Sequence, residues 1–80
     1  MARLLFLGRL EDRAGAPELA LALAEPTPLA GLIALLPASL GETLADPKIR
    51  LALNGALVGA AGLVVADADE LAFLPPVSGG

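Results

Sequence analysis

The chain has 80 residues, 56% of them hydrophobic, and a formal net charge of −4 at neutral pH. It contains no Cys and no His, which excludes disulfides, the common soft-metal sites and any nucleophile built on a Ser–His or Cys–His pair. Five basic residues and two aromatics, Phe6 and Phe73, supply neither the charge nor the stacking platforms of a nucleic-acid binder.

An acidic surface favours a partner that is basic at the contact. The uncharged stretch 51–66 holds Asn54 and three glycines and, like the equally long 26–41, is shorter than the roughly 20 residues of a spanning helix. "MARLLFLGRLED" lacks the layout of a secretory signal. The expectation is a cytoplasmic protein with no membrane segment. Its length fits one domain, near the size at which a lone core becomes marginal. So apolar a chain either packs an unusually Leu-rich core or leaves an apolar patch for something to cover.

"ARLLFLGRL" opens as a strand, with Ala2, Leu4 and Phe6 on one face and Arg3, Leu5 and Leu7 on the other. Both faces are largely apolar, which suits a central strand or one covered by a partner. Residues 8–15 form a turn with room for a short helical piece. "ELALALAE", 18–25, alternates with Leu19, Leu21 and Leu23 on one side and reads as the second strand of a hairpin.

In "PTPLAGLIALLPASLG", Thr27 is the expected helix N-cap and Pro28 the first helical residue. Leu29, Leu32, Ile33 and Leu36 then share one helical face. Pro37 ends or kinks this helix, and 38–47 reads as irregular, with space for one further turn. "KIRLALNGALV" gives a strand, an Asn54-Gly55 turn of type I′ and a returning strand. "GLVVADADELAFL" gives a loop carrying Asp67, Asp69 and Glu70, then a final strand over 70–74. The order β-β-α-β-β-β predicts an α+β roll, a mixed sheet with one main helix over one face. The domain occupies 1–74 and an extended tail 75–80.

Candidate chemistry inside the domain is thin. The acidic trio lacks the further ligands and the turn glycine of a calcium loop, and reads as a solvated turn. Lys48 would act as a base only if strongly desolvated. The scattered glycines make no phosphate cradle. The chain therefore does not read as a self-sufficient enzyme.

What remains is the end, "PPVSGG". Pro75 and Pro76 hold the backbone extended, and six extended residues reach about 20 Å. Ser78, Gly79 and Gly80 are slim enough to thread a channel that stops any branched side chain. A stiff base, a thin tip and a carboxylate make a probe for another protein's active site.

The order of elements resembles the ubiquitin-like β-grasp fold. "LAFLPPVSGG" resembles the C-terminal signature of the small sulfur-carrier subunit of molybdopterin synthase, the MoaD type. "DADE" resembles that family's Asp-Gly-Asp-Glu turn, with Ala68 where glycine is usual. "LALNGALV" and "LFLGRLEDRAG" are similar to its hairpin and first strand. The sulfur carrier of thiamine thiazole synthesis shares the fold and the Gly-Gly end but usually lacks the double proline. A third reading is a ubiquitin-like modifier joined to lysines through Gly80.

The resemblance implies a mechanism. A carboxylate is anionic at neutral pH and a poor electrophile. A ubiquitin-activating-type adenylyltransferase would use ATP and Mg to convert the Gly80 carboxylate, next to Gly79, into an acyl-adenylate. Persulfide sulfur would displace AMP and leave a thiocarboxylate. The tail would then enter the large catalytic subunit and pass its sulfur to a cyclic pyranopterin precursor. The implied assembly is a heterotetramer of two small and two large subunits, with no cofactor or metal bound by this chain. The expected partner contacts are Leu7, Leu57, Phe73, Leu74, Pro75, Pro76, Val77 and Ser78, with Leu7, Leu57 and Leu74 as apolar anchors. The family often has aromatic residues where Leu7 and Leu74 stand.

Overall fold

The computed structural model describes residues 1–76. In chain order its elements are β1 (Ala2–Phe6), α1 (Leu10–Ala14), β2 (Glu18–Leu21), β3 (Thr27–Pro28), α2 (Leu29–Ala34), α3 (Ala38–Leu44), β4 (Arg50–Leu53), β5 (Ala56–Val58), β6 (Val64–Val65) and β7 (Glu70–Leu74).

The period-two pattern of β1 is realised as written, with Ala2, Leu4 and Phe6 buried and Arg3 exposed. A five-stranded sheet runs β2-β1-β7-β4-β5. It is mixed, because β1 and β7 are parallel while every other neighbouring pair is antiparallel. The first and last strands of the domain are thus neighbours in the middle of the sheet.

Leu4, Leu71 and Phe73 are fully buried on the inner side of these strands. Burying each contributes about 1.5–3 kcal/mol relative to leaving it in water. The rings of Phe6 and Phe73 stack at 5.7 Å between centroids. Leu32, Leu40 and Leu44 from the helices, with Leu36 from the link between them, close over the same side. The core is Leu-rich, as the composition requires.

The crossover between β2 and β4 departs from the expectation at Thr27, at Pro28 and over 38–44, and the strand that pairs with it, β6, was not expected either. Thr27 does not cap a helix: its hydroxyl donates to the Glu25 carbonyl, and Thr27 and Pro28 form β3, paired with β6. Pro28 is extended (ψ 156°), so the helix starts one residue later, at Leu29, without a side-chain cap. Two-residue β6 went unforeseen because "VV" has no alternation to announce it. The main helix, α2, stops before Pro37 as expected, but most of the stretch expected to be irregular is a further helix, α3. Gly41 explains their close approach, since a Cβ there would lie 3.2 Å from the Ile33 Cγ2.

Elsewhere the hairpin signal holds. Asn54 (φ 50°) and Gly55 (φ 87°) supply the left-handed pair that a type I′ turn needs. Strand β2 ends at Leu21 rather than Glu25, yet Leu23 stays buried because the Asp67 carboxylate accepts its N–H at 2.8 Å. Among the described residues no helix is long and apolar enough to cross a membrane.

Candidate functional site: the open sheet face and the root of the tail

Strand alternation sends every second residue away from the core, and the sheet register gathers these residues into rows. Glu18, Leu5, Ala72, Ala52 and Leu57 stand side by side across all five strands. Toward the tail the next row pairs Leu74 with Arg50. Leu7 lies beside them, its N–H donating to the Phe73 carbonyl at 3.1 Å. At the opposite end the row is Ala20, Arg3 and Glu70.

This face has two characters. At the far end the Arg3 guanidinium donates to both Glu18 carboxylate oxygens at 3.1 and 3.3 Å and lies 3.2 Å from Glu70. These contacts raise the Arg3 pKa and hold Glu18 below the ordinary carboxylate value. Apart from Arg50 the tail end is apolar: Leu57 is 65% exposed and Leu7 41%, with Leu5, Ala72 and Leu74 half-buried beside them. A contiguous apolar area of this kind commonly marks a protein contact surface.

The acidic turn is more than a solvated loop. Asp69 accepts from the Asn54 side chain at 3.0 Å and from the Ala66 N–H at 2.9 Å, while the Glu70 N–H donates to the Asn54 side-chain oxygen at 2.9 Å. The Ala66 N–H first, and then Asn54, hold the Asp69 pKa below the usual carboxylate range. Asp67 is held down by the Leu23 N–H and then by the Met1 amino group, 3.3 Å away. The turn pins the β4–β5 hairpin to the start of β7 and so fixes where the last strand runs. Asn54, taken from the sequence only as a turn former, is half of this latch.

At the other end of β7 the tail begins. Pro75 and Pro76 are half-buried. Gly8, at φ +55°, sits so close that a Cβ would fall 3.1 Å from the Pro75 Cγ. Pro76 borders a cleft of about 570 Å³ that also holds Lys48, Arg50 and Leu57. On its other side it borders one of about 290 Å³ with Arg9 and Arg13.

Of the residues expected from sequence, Leu7, Leu57 and Leu74 lie on the open face, and Pro75 and Pro76 root the tail beside it. Phe73 does not join them. It is fully buried and stacked on Phe6, because its neighbours Ala72 and Leu74 take the outward positions of β7. Val77, Ser78, Gly79 and Gly80 lie outside the described residues. Sequence reasoning missed Gly8 and Arg50. The signal for Arg50 was its place in "KIR", two residues after Lys48 on an alternating strand.

Residues 4–80 match the ThiS family. The chain belongs to the ThiS family. It is a ubiquitin-like β-grasp domain of the ThiS/MoaD sulfur-carrier type. No curated protein sequence matches this ThiS-family chain. Among solved structures it is similar to SAMP1 from Haloferax volcanii, with 25% identity over 99% of this chain and 98% of that one, TM-score 0.73. The small archaeal modifier protein 1 (SAMP1) from Methanosarcina acetivorans shows 28% identity over 99% and 95%, TM-score 0.70. A chain in the protein–protein complex of subunits 1 and 2 of molybdopterin-converting factor from Helicobacter pylori shares the fold, with 24% identity over 99% and 97%, TM-score 0.66.

Proposed function

We propose that this ThiS-family protein is the sulfur-carrier subunit of a molybdopterin synthase. The observation that carries this reading is the adjacency of the apolar half of the open face to the root of the "PPVSGG" segment. A partner that covers Leu7, Leu57 and Leu74 receives the tail in the same contact. Likeness to a subunit of the Helicobacter pylori complex supports a large catalytic subunit as that partner.

The chemistry is divided accordingly. An adenylyltransferase joins the Gly80 carboxylate to the α-phosphate of Mg-ATP, releasing pyrophosphate and making the carbonyl electrophilic. A persulfide sulfur attacks that carbonyl and AMP leaves. Reductive cleavage of the resulting acyl disulfide by a second thiol frees the thiocarboxylate. In the synthase the thiocarboxylate sulfur adds to an electrophilic, oxygen-bearing carbon of the pyranopterin precursor; water cleaves the acyl–sulfur bond and returns Gly80 to a carboxylate, and the carbon's own oxygen leaves as water. The chain's own contribution is to hold the tail at a fixed exit and present a docking face. Two small and two large subunits form the working assembly.

Intact mass after incubation with the cognate activating enzyme, Mg-ATP and a sulfur source tests this. Replacement of one terminal oxygen by sulfur, followed by its loss to the precursor when the large subunit is added, is the expected result. An unchanged mass overturns the proposal. The likeness to two small archaeal modifier proteins favours a second reading, attachment to lysines through Gly80, which predicts isopeptide conjugates in cell extracts. The thiazole carrier is a third reading, separated by which acceptor protein binds.

A further inference from the structure

The protein is acidic overall, yet the side of the sheet beside the tail carries cations. Lys48 and Arg50 are both exposed and border the cleft that Leu57 and Pro76 complete. Arg50 stands in register with Leu74, inside the apolar end of the open face. The contrast with Arg3 on the same face is chemical. Arg3 is engaged by Glu18 and Glu70, whereas among the described residues neither Lys48 nor Arg50 has a carboxylate within 4.0 Å. Asp46, the nearest acid in sequence, accepts the Lys48 backbone N–H at 2.9 Å and leaves the ammonium unmatched.

Covering Leu74 and Leu57 with a partner removes water from Arg50 as well. A guanidinium desolvated without an anion is strongly unfavourable, whereas a bidentate carboxylate restores its hydrogen bonds and its charge balance. We infer that the Lys48–Arg50 cleft receives a carboxylate-bearing segment of the partner protein, seated against Leu57 and Pro76 at the root of the tail. This rests on the docking reading above and adds its polarity: the contact is acidic on the partner's side, against the trend of the chain's net charge. Arg50 then fixes the partner's orientation, because a planar fork accepts a carboxylate from few directions. Lys48 adds a point charge that speeds encounter.

The test uses the full chain and the cognate large synthase subunit. Binding is measured by titration calorimetry and stopped-flow at low and high ionic strength, for the native protein, Arg50→Gln, Lys48→Gln, Arg50→Glu and Leu74→Asp. Expected results are a Kd about tenfold weaker for Arg50→Gln, a larger loss for Arg50→Glu, and a smaller salt dependence of the on-rate for Lys48→Gln. Melting curves keep folding separate, and the neutral Arg50→Gln serves if the charge reversal disturbs the strand. If both Arg50 variants bind like the native chain while Leu74→Asp abolishes binding, docking stands and the inference falls. If Leu74→Asp also binds normally, the docking reading itself falls. Inorganic phosphate is the probe for a small-anion site: saturable binding to the isolated chain, lost in Arg50→Gln and without effect on the large subunit's affinity, overturns the inference.

Discussion

Gly8 and Pro75 meet so closely that one added carbon on Gly8 would come within 3.1 Å of the Pro75 ring. The turn leaving β1 therefore forms the seat from which the tail departs β7. Gly8 also adopts a positive φ, so any L side chain there meets backbone strain as well as the ring. Gly8→Ala is expected to leave a folded domain with slower thiocarboxylation by the activating enzyme. In Gly8→Ala/Pro75→Ala the Cγ is gone, and part of the rate returns. The coupling between the two changes is expected at about 0.5–3 kcal/mol in a double-mutant cycle.

Neighbours on β7 have opposite roles. Phe73→Ala empties a fully buried site and is expected to cost about 3–5 kcal/mol in a denaturant titration. Leu74→Asp, one residue on, faces outward and is expected to abolish binding to the large subunit while the melting transition stays cooperative. Reversal of these two phenotypes would mean that the faces of β7 have been assigned backwards.

The turn acids predict an acid-sensitive hairpin. Asp67 and Asp69 have folded-state pKa values below their ordinary ones, so the stability they contribute is complete above the unfolded value, about 3.9. It is lost as pH falls through their lowered folded values. Glu18 beside Arg3 acts in the same direction. The denaturant midpoint should stay flat from neutral pH to about 5 and fall below about 4. Asn54→Ala removes one of the Asp69 partners and should make that acid fall shallower, while lowering the midpoint at neutral pH. An equally steep fall in the variant would separate Asn54 from the titration.

Deleting Gly80, or extending the chain past it, should abolish thiocarboxylate formation with no change in the melting curve. Intact mass and a thermal scan on one sample decide this. Sulfur incorporation in the deletion variant would remove Gly80 as the required acceptor.

The main sheet was legible because its strands carry strong local signals. Alternating Leu4 and Phe6, the Asn54-Gly55 pair and the run "ELAFL" each determine a conformation over a few residues. The crossover was less legible because its structure is set by contacts distant in sequence. Thr27 has the chemistry of a cap, but pairing with Val65 takes its backbone into a ribbon instead. Residues 38–44 contain Gly41 and follow a proline, and become helical by packing Leu40 and Leu44 into the core. At the site, Leu7, Leu57 and Leu74 followed from alternation alone. Gly8 and Arg50 did not, because each matters through a neighbour that only the sheet brings near: Pro75 for one, Leu74 for the other.

Strand β7 is held on both flanks, in parallel by β1 from Arg3 to Phe6 and antiparallel by β4 from Arg50 to Leu53. Tension applied through Pro76 runs along that strand, so the ladders on either side are loaded in shear and must yield together rather than one bond at a time. An edge strand tugged from its end would peel open. On the proposed function, in which partner pockets draw in the tail, that arrangement lets the chain be pulled and released repeatedly without unravelling the body that carries it.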